Sequence, residues 1–280
     1  MSRHLLVAQG RYDGARLVAF LGAHAVPGVE SWDGTTYARS LRTSAGAVVA
    51  SLTAVSGGVD VSLTGSQGHT SVVLQQLAHL LSLGDDSASA ERHLAGDPVV
   101  GPSVLARPGL RSPGSSDDGE TLVRTVVGQQ VSLAGARAVL GRVAADLGET
   151  LPRQLQVDGV RSLFPTMAAL AAADPLRLPM PRARARAVVA CAAAVVASGG
   201  LPARAQLLMV SGVGPWTADY VDLRCRRDPD VFLASDLAVR RVLECAGLAG
   251  SPKAAAERAA GWAPYRSTAL IHLWTDYLEA

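Results

Sequence analysis

Residues 36–41, 47–54 and 59–63 alternate apolar and polar side chains, the two-residue period of strands that bury one face. Gly57-Gly58 stands between the last two runs and reads as a hairpin turn. Residues 15–25 and 71–83 repeat their apolar positions every three to four residues, which predicts helices. Together these patterns predict an antiparallel sheet with helices on one face. Residues 84–119 are rich in Asp, Ser, Pro and Gly and mark a domain boundary, with His93-Leu94 and Val99-Val100 able to pack locally. Beyond it the period is helical almost throughout. Residues 120–147 predict one long amphipathic helix, and residues 166–173 and 183–198 two more, punctuated by Asp174-Pro175, Pro179 and Pro181. The fold class is α+β, with an N-terminal antiparallel sheet and helices followed by a helical bundle or a pair of mainly helical lobes.

Composition narrows the function classes. A chain of 280 residues, 49% hydrophobic and 18% charged, builds packed domains and is not a disordered chain. No charge-free apolar run reaches the ~18 residues that span a membrane. The longest candidate, residues 187–200, follows Arg182, Arg184 and Arg186 and reads as a buried helix. The N-terminus lacks the pattern of a secretory signal, so a cytoplasmic setting is expected. Cys191, Cys225 and Cys245 are far apart with no CxxC spacing, and read as three buried thiols, with no disulfide, zinc site or iron–sulfur cluster. The net charge of +2 says nothing about nucleic acid. Its make-up says more: Lys253 is the single lysine, so chemistry needing a lysine amine has one candidate.

The informative stretch is Leu207-Leu208-Met209-Val210-Ser211-Gly212-Val213-Gly214-Pro215-Trp216-Thr217-Ala218-Asp219-Tyr220. An apolar helix ends, a Gly-Val-Gly turn follows, and Pro215 opens a second helix. Gly212 and Gly214 allow positive φ and leave room for another backbone to approach. Unpartnered N–H groups at the second helix start, with its dipole, suit a phosphate oxygen. A tight helix–helix corner is the structural alternative.

Asp236 stands twenty residues past Trp216, where a helix over residues 237–246 begins. It is either an ordinary N-cap or a carboxylate held at a helix start beside the hairpin, and both can hold at once. Asp219 and Asp222 lie on the helix after the turn and are expected to be solvated or capping.

With these residues the chain resembles the bacterial DNA-3-methyladenine glycosylase II family of the helix-hairpin-helix superfamily. The resemblance also rests on Tyr12-Asp13 with Phe20-Leu21, on Tyr37-Ala38-Arg39-Ser40, and on Arg107-Pro108-Gly109-Leu110-Arg111. Val127-Gly128-Gln129-Gln130-Val131-Ser132, Trp262-Ala263-Pro264-Tyr265-Arg266-Ser267 and Ile271-His272-Leu273-Trp274 extend it over nearly the whole chain. It implies an antiparallel α+β domain at 1–91, a helical domain with the hairpin at 118–230, and a second helical lobe from 92–117 plus 231–280, with the active-site cleft between the lobes.

The resemblance implies a role for each matching position. Asp236 matches the catalytic acid, and Trp216, Tyr220, Trp274 and Phe20 match the base pocket. Gln130 matches the wedge inserted into the duplex. Gly212, Gly214, Trp216 and Thr217 match the phosphate-binding turn. The carbonyls of Leu208, Val210 and Val213 match a monovalent-cation site, and no cofactor is required for catalysis. The chain departs from the family in a polar wedge residue, and in Leu237 and Thr275, which stand where aromatics can occur.

The implied activity is monofunctional hydrolysis of the N-glycosidic bond of alkylated bases, 3-methyladenine-like cationic purines in particular. The partner is double-stranded DNA with damaged bases, met by a monomer. Trp216 stands where lyase members of the superfamily carry a lysine, so no strand cutting is expected. A glycosylase for hypoxanthine or uracil, and a non-catalytic DNA-binding module, are the alternatives.

Overall fold

The computed structural model describes residues 1–65, 68–85 and 87–280. Ser66, Gln67 and Asp86, which fall in the expected first domain, lie outside the described residues. The fold is α+β. Strands β1 (Ser2–Val7), β2 (Glu30–Trp32), β3 (Thr36–Thr43), β4 (Gly46–Val55) and β5 (Gly58–Thr64) form a five-stranded antiparallel sheet in the order β1-β5-β4-β3-β2. The β4–β5 turn is Ser56-Gly57, one residue earlier than expected, because Gly58 already pairs with Val55.

Helices α1 (Gly14–Ala23) and α2 (Thr70–Leu80) cover one face. Leu17, Val18 and Leu21 of α1 and Val73 and Leu77 of α2 bury against Leu41, Leu52 and Val61. The other face is also partly covered, contrary to the one-sided expectation. Leu151, Val160 and Leu163, far along the chain, pack on Ala38 and Val49.

The expected boundary segment is structured. It holds α3 (Ala88–Leu94) and α4 (Gly101–Ala106), whose Leu94, Val100 and Val104 share a buried cluster with Val231, Leu233, Val239, Trp262 and Leu270. The single helix expected over residues 120–147 is two: α5 (Asp118–Gly128), capped by Asp117, and α6 (Leu133–Leu147), capped by Ser132. They are parted at Gln129-Gln130, where Gln130 takes a left-handed φ of 54°. Helices α7 (Met167–Ala171) and α8 (Arg182–Ser198) follow, and Ala185, Val188 and Ala192 of α8 pack into the cluster formed with Leu122 and Val126 of α5. The chain then runs through α9 (Arg204–Leu208), α10 (Pro215–Val221), α11 (Leu237–Cys245), α12 (Pro252–Ala259) and α13 (Arg266–Glu279). Cys191 and Cys225 are buried, whereas Cys245, at the end of α11, is exposed and corrects the reading of three buried thiols.

Candidate active site

The hairpin joins α9 to α10. Leu207 and Val213 are buried and anchor its two sides in the helical core. Gly212 has φ +91°, and a methyl group there would lie 2.7 Å from Cβ of Ala187, so the turn presses directly on α8. Gly214 does not use that conformational freedom but does leave the room. Its φ of −104° is open to any residue, and a Cβ there would meet nothing within 4 Å. Its missing side chain leaves space in front of the α10 N-terminus. Among the described residues no protein acceptor takes the N–H of Gly214, Trp216 or Thr217. The Thr217 side chain is buried and accepts from Nε2 of Gln129 at 2.8 Å, so this residue can offer a ligand only its backbone. Gln129 also donates to the Gly212 carbonyl, tying the α5–α6 break to the hairpin.

Asp236 caps α11. Its Oδ1 accepts from the backbone N–H of Ala238 and Val239 at 3.0 and 3.2 Å. The same oxygen accepts from the Trp274 indole at 3.2 Å, and Oδ2 accepts from the Trp216 indole at 3.2 Å. The carboxylate is half-buried, held by three helices at once. Trp216 stacks on Tyr220 (centroids 5.3 Å apart, 13°), and Tyr220 meets Trp274 at 6.0 Å. Asp236, Trp216, Tyr220 and Trp274, distant in sequence, therefore form one group.

Beside it lies a cavity of about 300 Å³ lined by Phe20, His24, Arg124, Trp216, Tyr220 and Arg224 among others. Trp274 and Asp236 do not line it; the acid adjoins it through Trp216. Arg224 lies over both the Phe20 and Tyr220 rings, 5.6 Å from each centroid, and donates to the Tyr220 hydroxyl. Phe20 stacks on His24 at 4.0 Å.

The cavity floor is an ion lattice between sheet and helices. Arg124 donates to Glu30 at 2.8 Å and to Glu120 at 2.9 Å, and Arg39 donates to Glu120 at 2.9 Å. Burial pushes the Glu30 carboxyl up, but Arg124 and Arg39 outweigh it and hold the group near 2. Burial, with the Arg224 and Arg124 cations nearby, lowers His24 to about 4 against the opposing pull of the Phe20 carbonyl.

The candidate residues divide by place. Gln130 is exposed at the α5–α6 break, next to the half-exposed Val131 and Leu133 of the cavity mouth. Leu208 is partly exposed, and Val210 uses its carbonyl to accept from the Val213 N–H. Asp222 corrects its reading as solvated: it is buried and paired with Arg226 and Arg204. Asp219 pairs with Arg204 at 2.5 Å. Lys253 is exposed on α12 beside Glu257. Sequence reasoning missed His24, Glu30, Glu120, Arg124 and Arg224; Glu120 and Arg124 stand at i, i+4 spacing, but no spacing joins them to the other three.

Residues 5–117 match the family model described as AlkA N-terminal domain. Over 283 residues the chain is 35% identical to DNA-3-methyladenine glycosylase 2 of Escherichia coli (strain K12), covering 95% of this chain and 94% of that protein. It is 36% identical over 264 residues to the "Probable bifunctional transcriptional activator/DNA repair enzyme AlkA" of Mycobacterium tuberculosis, covering 91% of this chain and 53% of that protein. The chain thus spans about half the length of this curated relative. A solved 3-methyladenine DNA-glycosylase from Archaeoglobus fulgidus superposes with TM-score 0.80 at 19% identity, over 99% of this chain and 98% of that one, a likeness of fold.

Proposed function

Since the chain belongs to the DNA-3-methyladenine glycosylase 2 family, we propose that it is a monofunctional DNA glycosylase that flips alkylated bases out of duplex DNA and hydrolyses their N-glycosidic bonds. The observation that carries this reading is Asp236, clasped by the indoles of Trp216 and Trp274 beside the hairpin. Binding phosphate alone needs neither the acid nor the two tryptophans.

Cleavage develops positive charge on the sugar, as in glycoside hydrolysis. Asp236 faces that charge near C1′ and orients the attacking water. Its four N–H donors fix the carboxylate, so little reorganisation accompanies the reaction. Trp216, Tyr220, Trp274 and Phe20 supply aromatic faces for the extruded base, and a base made cationic by alkylation gains roughly 0.5–2 kcal/mol from them. Gln130, exposed at a break between two helices, fills the gap the base leaves. The N–H groups of Gly214, Trp216 and Thr217 hold a phosphate, with Gly212 shaping the turn. A monovalent cation is read at the same turn because, among the described residues, no N–H is bonded to the carbonyls of Leu208 and Val213, whose oxygens are then left for an ion.

Three buried clusters, crossed only by Val26 and Val29 and by Leu223, support a division into 1–91, 118–230, and 92–117 plus 231–280, and the contact of Trp216 with Asp236 supports a cleft between the two helical lobes. One chain carries the hairpin, acid and cavity, so the reading needs only a monomer on damaged duplex DNA in the bacterial cytoplasm. Among the described residues no helix is long and apolar enough to cross a membrane.

The test is base release from alkylated duplex DNA. Asp236→Asn should lower it at least about 100-fold while folding and DNA binding persist. Full release by a folded Asp236→Asn protein would sink the mechanism.

A further inference from the structure

The cavity wall contains a hydrogen-bond acceptor that the mechanism above does not use. His24, one turn beyond Phe20 at the end of α1, stacks on the Phe20 ring at 4.0 Å and 27°. Its Nδ1 lies 2.8 Å from the Phe20 carbonyl oxygen. A carbonyl only accepts, so Nδ1 carries the hydrogen, and in the neutral ring Nε2 keeps its lone pair. Nε2 sits on the ring edge turned away from this bond and has no protein partner among the described residues.

Its charged neighbours are committed elsewhere. Arg124 donates to Glu30, Glu120 and the His24 carbonyl. Arg224 donates to the carbonyls of Pro113 and Gly114 and to the Tyr220 hydroxyl. Burial and these two cations keep the ring neutral through the physiological range. An uncharged acceptor flanked by aromatic faces therefore borders the space beside Trp216 and Tyr220.

Resting on the glycosylase reading, we propose that His24 determines base specificity: its Nε2 accepts an N–H from the exocyclic amine of the flipped base. Aminopurine lesions of the adenine type are then favoured over oxopurines of the hypoxanthine type. An oxopurine turns a carbonyl oxygen toward the lone pair, and two acceptors cannot pair with each other.

Two measurements test it in wild type and in His24→Phe, which keeps an aromatic ring on Phe20 and deletes the acceptor. Free adenine and free hypoxanthine are titrated by tryptophan fluorescence, and base release is timed on duplexes carrying 3-methyladenine or hypoxanthine. Wild type should bind adenine about tenfold more tightly than hypoxanthine, the scale of one hydrogen bond. His24→Phe should abolish the difference by losing adenine affinity, and should slow 3-methyladenine release about tenfold more than hypoxanthine release. Equal or reversed wild-type affinities overturn the proposal, with no need of the variant. So does a preference that survives in folded His24→Phe, or a parallel loss of both bases. Amine-selective binding without release from any duplex would remove the glycosylase reading and leave His24 standing; release without selectivity would do the reverse.

Discussion

Two histidines are desolvated to different degrees in different parts of the molecule, His24 partly buried in the cavity wall and His272 fully buried on α13 within hydrogen-bonding distance of Ser103. His272 is only 1% exposed, and burial lowers it to about 4, as it does His24. Both folded values lie below the ordinary 6.5, so the unfolded chain takes up these protons first as pH falls. Stability from this source is complete above pH 6.5 and is lost between pH 6.5 and 4, by roughly 3 kcal/mol for the fully buried His272. Glu30 is shifted in the same direction, through its arginine partners, and its contribution is kept down to about pH 4.5 and lost toward pH 2. Urea midpoints at pH 7.5, 5.5 and 4.5 should therefore decline in order. A midpoint unchanged between pH 7 and 4.5 would show that neither ring resists protonation in the folded state.

Among the elements, the two glycines of the hairpin separate shape from binding. Gly212→Ala must hold an alanine at φ +91° and place a methyl 2.7 Å from Ala187, so a loss of about 1–3 kcal/mol is expected in denaturant unfolding. Gly214→Ala is strain-free and should leave stability within about 0.5 kcal/mol of wild type. Gly214→Asp sets a negative charge before the α10 N-terminus and should weaken binding to damaged and undamaged duplexes alike. Loss of lesion discrimination alone would instead move this turn into the base pocket. This hairpin was legible in the sequence because its glycines and proline are local punctuation. So were β3, β4 and β5, which carry their alternation openly. Strand β1 was not: Leu5 and Val7 face solvent while polar Ser2 and His4 turn inward, so its pairing with β5 has no matching apolar period. The α5–α6 break was hidden because Gln130 adopts a backbone conformation that favours glycine. Asp236 with its tryptophans could be found from a motif. The lattice of Glu30, Arg39, Glu120 and Arg124 could not, because only tertiary packing brings two strands and a helix to one point.

On the scale of the whole molecule, the amines sit on other elements than those that hold the acid. Lys253 is exposed on α12 and the N-terminal amine precedes the edge strand β1, while Asp236 is enclosed by α10, α11 and α13. Incubation with lesion DNA and sodium borohydride should therefore trap no covalent adduct, and the product strand should be abasic but unbroken. A trapped adduct would require an amine at C1′ and end the assignment of Asp236 acting with water alone. The same architecture governs how the chain emerges during synthesis. Leu94, Val100, Val104 and Leu110 are made early, yet the side chains that enclose them run from Leu223 to Leu273. At about 5–20 residues per second, the last of those partners follows Leu110 by roughly 160 residues, on the order of ten to thirty seconds. Through that interval the nascent chain holds an apolar half-core open to its surroundings, while the preceding sheet has all of its strands in hand. That open half-core is an aggregation liability of the newly made protein, and a place for a chaperone to act, before any DNA is met.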